Sequence, residues 1–167
     1  MARIVVRRGT KTDSEGFLTL VLALADFEHL EPPSESGRKR LAADIFDKKW
    51  ANLFVAVEGK KHVGYALYFY TYSSFLAKPS LYLEDIFVLK EYRKRGIGFD
   101  LFRRCVDEAI EQGCGRMEWA VLTWNKNAIE FYERLGARRL DEWYVYRVDE
   151  RGLRRIPRKM RSTAWTG

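Results

Sequence analysis

Arg93-Lys94-Arg95-Gly96-Ile97-Gly98 carries the clearest chemistry in this chain. Glycines at 96 and 98 let the backbone approach a ligand and turn sharply without a Cβ clash. A helical apolar pattern follows at once, so their amides fall at a helix N-terminus. Unpaired donors and the helix dipole favour an anion there. Three flanking cations strengthen the preference, and the segment reads as a cradle for a diphosphate. A dinucleotide fingerprint needs a third glycine where Leu101 stands, and no Walker Gly-Lys-Ser/Thr follows. Just upstream, Glu84 and Asp85 interrupt the apolar run Leu81–Leu89. A carboxylate at the end of such a strand can take a proton directly or through one water. A plain strand–helix turn would use the same Gly and Arg, so the turn alone does not separate the two readings.

A downstream block adds the missing information: Trp124-Asn125-x-x-Ala128-x-x-Phe131-Tyr132-x-x-Leu135-Gly136-Ala137. With the Arg/Gln-x-x-Gly-x-Gly/Ala pattern at 93–98, it resembles the GCN5-related N-acetyltransferase (GNAT) superfamily. LYLEDIFVLKEYRKRGIG, AVLTWNKNAIEFYERLGA and YFYTYSS are similar to its diamine (spermidine/spermine, thialysine) acetyltransferase branch. The likeness runs from about residue 3 to 149 and is strongest over 65–137. The resemblance implies an α/β fold with a mixed, mostly antiparallel central sheet. It further implies about seven strands, four flanking helices and splayed parallel central strands.

It also implies roles. Acetyl-CoA would lie along Ile86, Phe87, Val88, Arg93, Lys94, Arg95, Gly96, Ile97, Gly98, Phe99, Asn125 and Ala128, with the Ile86 amide facing the developing oxyanion. Glu84 would be the base and Tyr132 the acid, while Phe27, Glu28 and Asp85 would bind the amine. The chemistry demands such groups. An ammonium with a pKa near 10.4 is neutral in only about one molecule in 10³ at pH 7. The leaving thiolate needs a proton, and a phenol with a pKa near about 10 can give it. Neither cysteine has a base nearby in sequence, which favours direct attack in a ternary complex over a covalent intermediate. Ser73 and Phe75 depart from the polyamine-acetylating pattern, which carries an acid and a Trp in that turn. A diamine, a lysine-like amino acid and a protein lysine or N-terminus stay open as substrates.

The elements that must position these groups follow from periodicity. Ile4–Val6 is a strand, and Thr12-Asp13-Ser14-Glu15 matches a capping box opening a helix that Pro32-Pro33 stops. A second helix fits Glu35 to Lys48, and strands fit Leu53–Val57, Val63–Tyr72 and Leu81–Leu89. Ile97, Leu101, Phe102, Cys105, Val106, Ala109 and Ile110 form a core-facing helical stripe. A strand over 116–122 should run parallel to 81–89. Asn125 suits a helix start and Gly136 its C′ end. Trp143–Val148 is expected to close the sheet.

Length and composition set the bounds. A chain of 167 residues, 47% hydrophobic and 32% charged, can bury a core and is neither disordered nor membrane-spanning. No apolar run suits a bilayer helix or a signal peptide, so a cytoplasmic setting without membrane association is expected. Two histidines and two cysteines lack metal-ligand spacing, and no metal is expected. Residues 1–149 read as the acetyltransferase domain and 150–167 as a basic extension supplying +5 of the net +7. That extension leaves a nucleic-acid or acidic partner open, and a CoA-binding regulatory module is the rival outside enzymes. The resemblance implies a homodimer.

Overall fold

Five strands pair in chain order to form one sheet: β1 (Ile4–Arg8), β2 (Asn52–Glu58), β3 (Lys61–Ser73), β4 (Lys78–Val88) and β5 (Arg116–Trp119). The first four are antiparallel neighbours, while β5 runs parallel to β4 as expected. The computed structural model describes residues 3–162; Trp165 and the rest of 163–167 lie outside the described residues. The chain divides into two compact units, residues 1–120 and 121–167.

In the first unit, α1 (Ser14–Glu28) and α2 (Glu35–Phe46) bury an apolar layer against one face of the sheet. Phe17, Leu20, Ile45 and Phe46 meet Val55, Tyr65, Leu67 and Phe87 there. Alternate residues point to opposite faces, so Phe54 and Tyr68 lie on the other side, stacked 5.2 Å apart. The helix α3 (Ile97–Glu111) covers that face through the buried Ile97, Leu101, Phe102, Cys105 and Ala109. Two positions depart from the expected stripe: Ile110 is 72% exposed and Glu108 only 5%. Position 108 continues the row of 101 and 105, and its carboxylate is bonded by Arg8 and by the Tyr70 hydroxyl at 2.6 Å.

The start of α1 also differs from expectation. The capping box joins Thr10 and Asp13 around a 3₁₀ turn, and Asp13 is buried rather than solvated. At its other end α1 stops at Glu28, where His29 adopts a left-handed backbone (φ 57°), ahead of the two prolines.

The second unit holds α4 (Lys126–Arg134) and α5 (Glu150–Ser162). The basic extension is therefore helical over most of its length. Among the described residues Trp143–Val148 forms no strand of the sheet, and the strands number five, not about seven, with five α-helices where four were expected. Trp143, Tyr144, Val145 and Tyr146 are exposed and make no ladder among the described residues. Alternation favours a strand, but only ladder hydrogen bonds make one.

Candidate active site

A bulge in β4 creates the acidic end of the site. Leu67 pairs with Asp85 and Tyr68 with Leu83, so Glu84 is the extra residue with no partner across the ladder. A bulge bends its strand and re-aims side chains. Here it leaves Glu84 exposed and returns Asp85 to the α1 face, where Phe87 also lies. The ladder between β4 and β5 ends at Leu83–Trp119, so Glu84–Val88 continue past it with no β5 partner. That early end is the splay expected of the central strands.

Asp85 accepts a hydrogen bond from the buried Tyr65 hydroxyl at 3.1 Å. Burial pushes its carboxyl up to about 6; the Tyr65 bond opposes this, while the charges of Glu84 and Glu28 add to it. Glu28, at the end of α1, is also raised by burial. Glu28 and Glu84 thus both lie within electrostatic reach of Asp85. Beside them, the Arg93 guanidinium sits 4.5 Å from the Phe27 ring centre and 5.7 Å from that of Phe87. Its Nε donates to the Val88 carbonyl at 3.0 Å. The side chain of the turn's first residue is therefore tied to the end of α1 and to β4.

The rest of the turn fits an anion through its backbone. Lys94 (φ 61°) and Gly96 (φ 78°) both take left-handed conformations, and Gly96 caps α3. A Cβ on Gly98 would meet only Val88 Cγ2, at 4.0 Å, so the first turn of α3 is open to close approach. Ile97 is buried and Phe99 is 46% exposed, placing the two neighbours of Gly98 on opposite sides. Arg95 is held by Glu58 at 3.0 Å and lies over the Tyr92 ring at 5.1 Å; the Tyr92 hydroxyl bonds the same Glu58 at 3.1 Å. Ile86 and Val88 are half-buried and Phe87 is buried. These residues suit a diphosphate lying on amides with a strand edge beside it.

In the second unit, the Asn125 side chain accepts from the Ala128 amide at 3.3 Å and caps α4. Gly136 follows that helix with φ 87°, as the C′ position requires. Tyr132 is buried, with its ring 5.3 Å from that of Phe131. Tyr65 and Arg7–Asp13–His62 escaped the sequence reading; only the polar residue inside an apolar strand marked Tyr65. Among the described residues no group of His, Cys, Asp or Glu is arranged to hold a metal ion, and no helix is long and apolar enough to cross a membrane.

The acetyltransferase (GNAT) family model matches residues 21–137. Among curated proteins, the chain is similar to a thialysine N-epsilon-acetyltransferase of Sus scrofa, at 33% identity over 95% of this chain and 100% of that one. It also matches a spermidine/spermine N(1)-acetyltransferase-like protein of Homo sapiens, at 37% identity over 89% of this chain and 23% of that one. An L-ornithine N5-acetyltransferase of Arabidopsis thaliana is 44% identical over 56% of this chain and 41% of its own length. An aminoglycoside N-acetyltransferase solved with CoA shares the fold at TM-score 0.75, with 21% identity over 89% of this chain and 96% of that one. A cradle of amides, a bulged acidic strand and a family match over most of the chain agree: it belongs to the GNAT acetyltransferases, on the branch marked by its thialysine and spermidine/spermine relatives.

Proposed function

We propose that this enzyme acetylates the terminal amine of a diamine or lysine-like small molecule by direct attack in a ternary complex. When bound, acetyl-CoA supplies the activated acyl group. The amides of Ile97, Gly98 and Phe99, together with Lys94 and Gly96, would hold its diphosphate, and the free edge of Ile86–Val88 would pair with the pantetheine arm. Asn125 and Ala128 would line the same arm, and Arg93 and Arg95 would add positive charge. Glu84, exposed at the bulge, takes the proton from the amine nitrogen; Tyr132 Oη gives one to the leaving sulfur. Phe27, Glu28 and Asp85 hold the cation, whose electrostatic needs the acid cluster meets. The homodimer and cytoplasmic setting implied by the resemblance belong to the same reading.

The single observation behind it is the bulge at Glu84, which gathers carboxylates immediately before the cradle. Support for a lysine-like amine comes from the thialysine and ornithine relatives and from Ser73, where polyamine-acetylating relatives carry an acid. A mass-spectrometric competition among thialysine, ornithine, spermidine and lysine peptides with acetyl-CoA tests the choice. Small amino-acid amines should be acetylated first, and preferential labelling of peptides would overturn the reading. Tyr132→Phe should cut kcat at least about tenfold with acetyl-CoA still bound, since general acid catalysis is typically worth 10²–10⁴.

A further inference from the structure

Tyr65 has no part in the scheme above, yet among the described residues its phenol is the one hydrogen-bond donor that meets the acid cluster. The ring is fully buried, edge-on to Phe17 with centroids 5.1 Å apart and 6.5 Å from the Phe87 ring. Phenylalanine would fill that space as well, and a hydroxyl drawn out of water is costly unless bonded. The Tyr65 hydroxyl meets that requirement with Asp85 Oδ2, at 3.1 Å. The bulge makes the contact possible. Were the strand regular, with Glu84 paired opposite Leu67, alternation from Leu83 would carry Asp85 to the opposite face of the sheet from Tyr65.

We propose that Tyr65 is a positioning residue of the amine site: its hydrogen bond fixes Asp85 by one oxygen, favours the anion, and leaves Oδ1 for the substrate ammonium. The inference rests on the reading that Asp85 contacts the amine. The charged and titratable groups around Asp85 are Glu28 from the end of α1, Glu84 on its own strand, Tyr65 on β3, and Arg93 over the neighbouring Phe27 and Phe87 rings. Burial and the two glutamates oppose ionisation of Asp85, and the Tyr65 hydroxyl is the group that favours it. Among the described residues no other donor bonds this carboxylate. Removing the hydroxyl while keeping the ring therefore raises the pH at which Asp85 becomes an anion, and with it the pH needed to hold the ammonium.

The test compares wild type with Tyr65→Phe, measuring amine KM and kcat from about pH 5.5 to 9. The acid limb of kcat/KM should move up by about one pH unit, as expected for a bond to a charged group. Amine KM should rise about threefold near pH 6.5 and by more toward pH 5.5, while above about pH 8.5 the two enzymes should converge, since Asp85 is then ionised in both. Acetyl-CoA affinity should be unchanged. A residue that only fills space would lower activity by the same factor at every pH, and an unmoved acid limb in an active variant overturns the inference. Carbon-13 NMR of the Asp85 carboxyl without substrate gives a readout independent of turnover. It should titrate near 6 in wild type and higher in Tyr65→Phe; an ordinary aspartate titration in wild type overturns the inference as well. Wild-type enzyme that acetylates no amine would instead sink the parent reading, and this one with it.

Discussion

Asp13 and Asp85 stand at opposite ends of α1 and meet burial differently. Asp13, 2% exposed, is bonded by both terminal nitrogens of Arg7 at 2.7 and 2.8 Å. The Thr10 amide and hydroxyl reach it at 2.8 and 2.9 Å, and His62 Nε2 at 2.8 Å. Facing an acceptor-only carboxylate, that Nε2 carries the hydrogen. The Arg7 hydrogen bonds hold Asp13 well below the usual carboxylate range. Asp85 has one bond and two acidic neighbours, and burial pushes it up to about 6. A carboxylate whose lone pairs are all used can lock a helix to a sheet; one left short of partners is available to a cation from outside. The contrast separates scaffold from site without reference to any substrate.

The most severe break falls on the scaffold side. Asp13→Ala strands the donors of Arg7, His62 and Thr10, and should cost on the order of 3 kcal/mol. For a chain of this size, melting should fall by roughly 6–12 °C, while kcat/KM per folded molecule stays near wild type. Loss of activity without loss of stability would reverse the assignment.

Asp85→Asn should do the opposite. Its folded pKa lies above the unfolded value of about 3.9, so the charged form is the one burial penalises. The penalty is fully present above pH 6 and vanishes as pH falls to about 4. Removing the charge should therefore stabilise the protein by on the order of 1–2 kcal/mol at pH 8, with amine KM rising steeply. For Asp13 the sign is reversed. Its contribution is present above about pH 3.9 and is lost only as pH falls through its depressed folded pKa. Calorimetry on wild type should thus show melting that holds or rises from pH 8 to 5 and falls below about pH 3.5. The rise should shrink in Asp85→Asn, leaving the smaller part that the raised Glu28 contributes.

The mildest test is Glu58→Gln, a half-buried acid with two partners, Arg95 and Tyr92. Melting should shift only slightly, because a pair this near the surface contributes little. Releasing Arg95 toward the cradle should tighten acetyl-CoA binding by about threefold in calorimetric titration. A large drop in melting temperature would show that two partners and partial burial already build scaffold here.

Much of this was legible in local sequence. The Gly-x-Gly turn, the apolar stripe of α3, the Asn125 cap and the Gly136 exit each follow from a few adjacent residues. The parallel pairing of 81–89 with a strand after α3 followed from connection rules. What escaped notice depends on distant partners. Asp13 reads as a cap until Arg7 and His62 are brought to it by the β1–β2–β3 ladder, and Glu108 reads as solvated until Arg8 arrives from 100 residues away. Tyr65 gave a weaker signal, because a tyrosine in a strand is ordinary and its meaning lies in a bulge on the neighbouring strand. Trp143–Val148 failed the other way, since alternation says nothing about which edge will accept the segment.

The buried Glu108 has a consequence for the far end of its own helix. It sits twelve residues from Gly96, about 18 Å along α3, pinned by Arg8 from β1 and Tyr70 from β3. A rod fastened at one end cannot slide or roll at the other, so the amides that would meet the diphosphate inherit their register from a contact far outside the pocket. Coenzyme affinity in this enzyme should therefore drift whenever Arg8 or Glu108 is exchanged singly, and be restored when the two are exchanged as a matched pair.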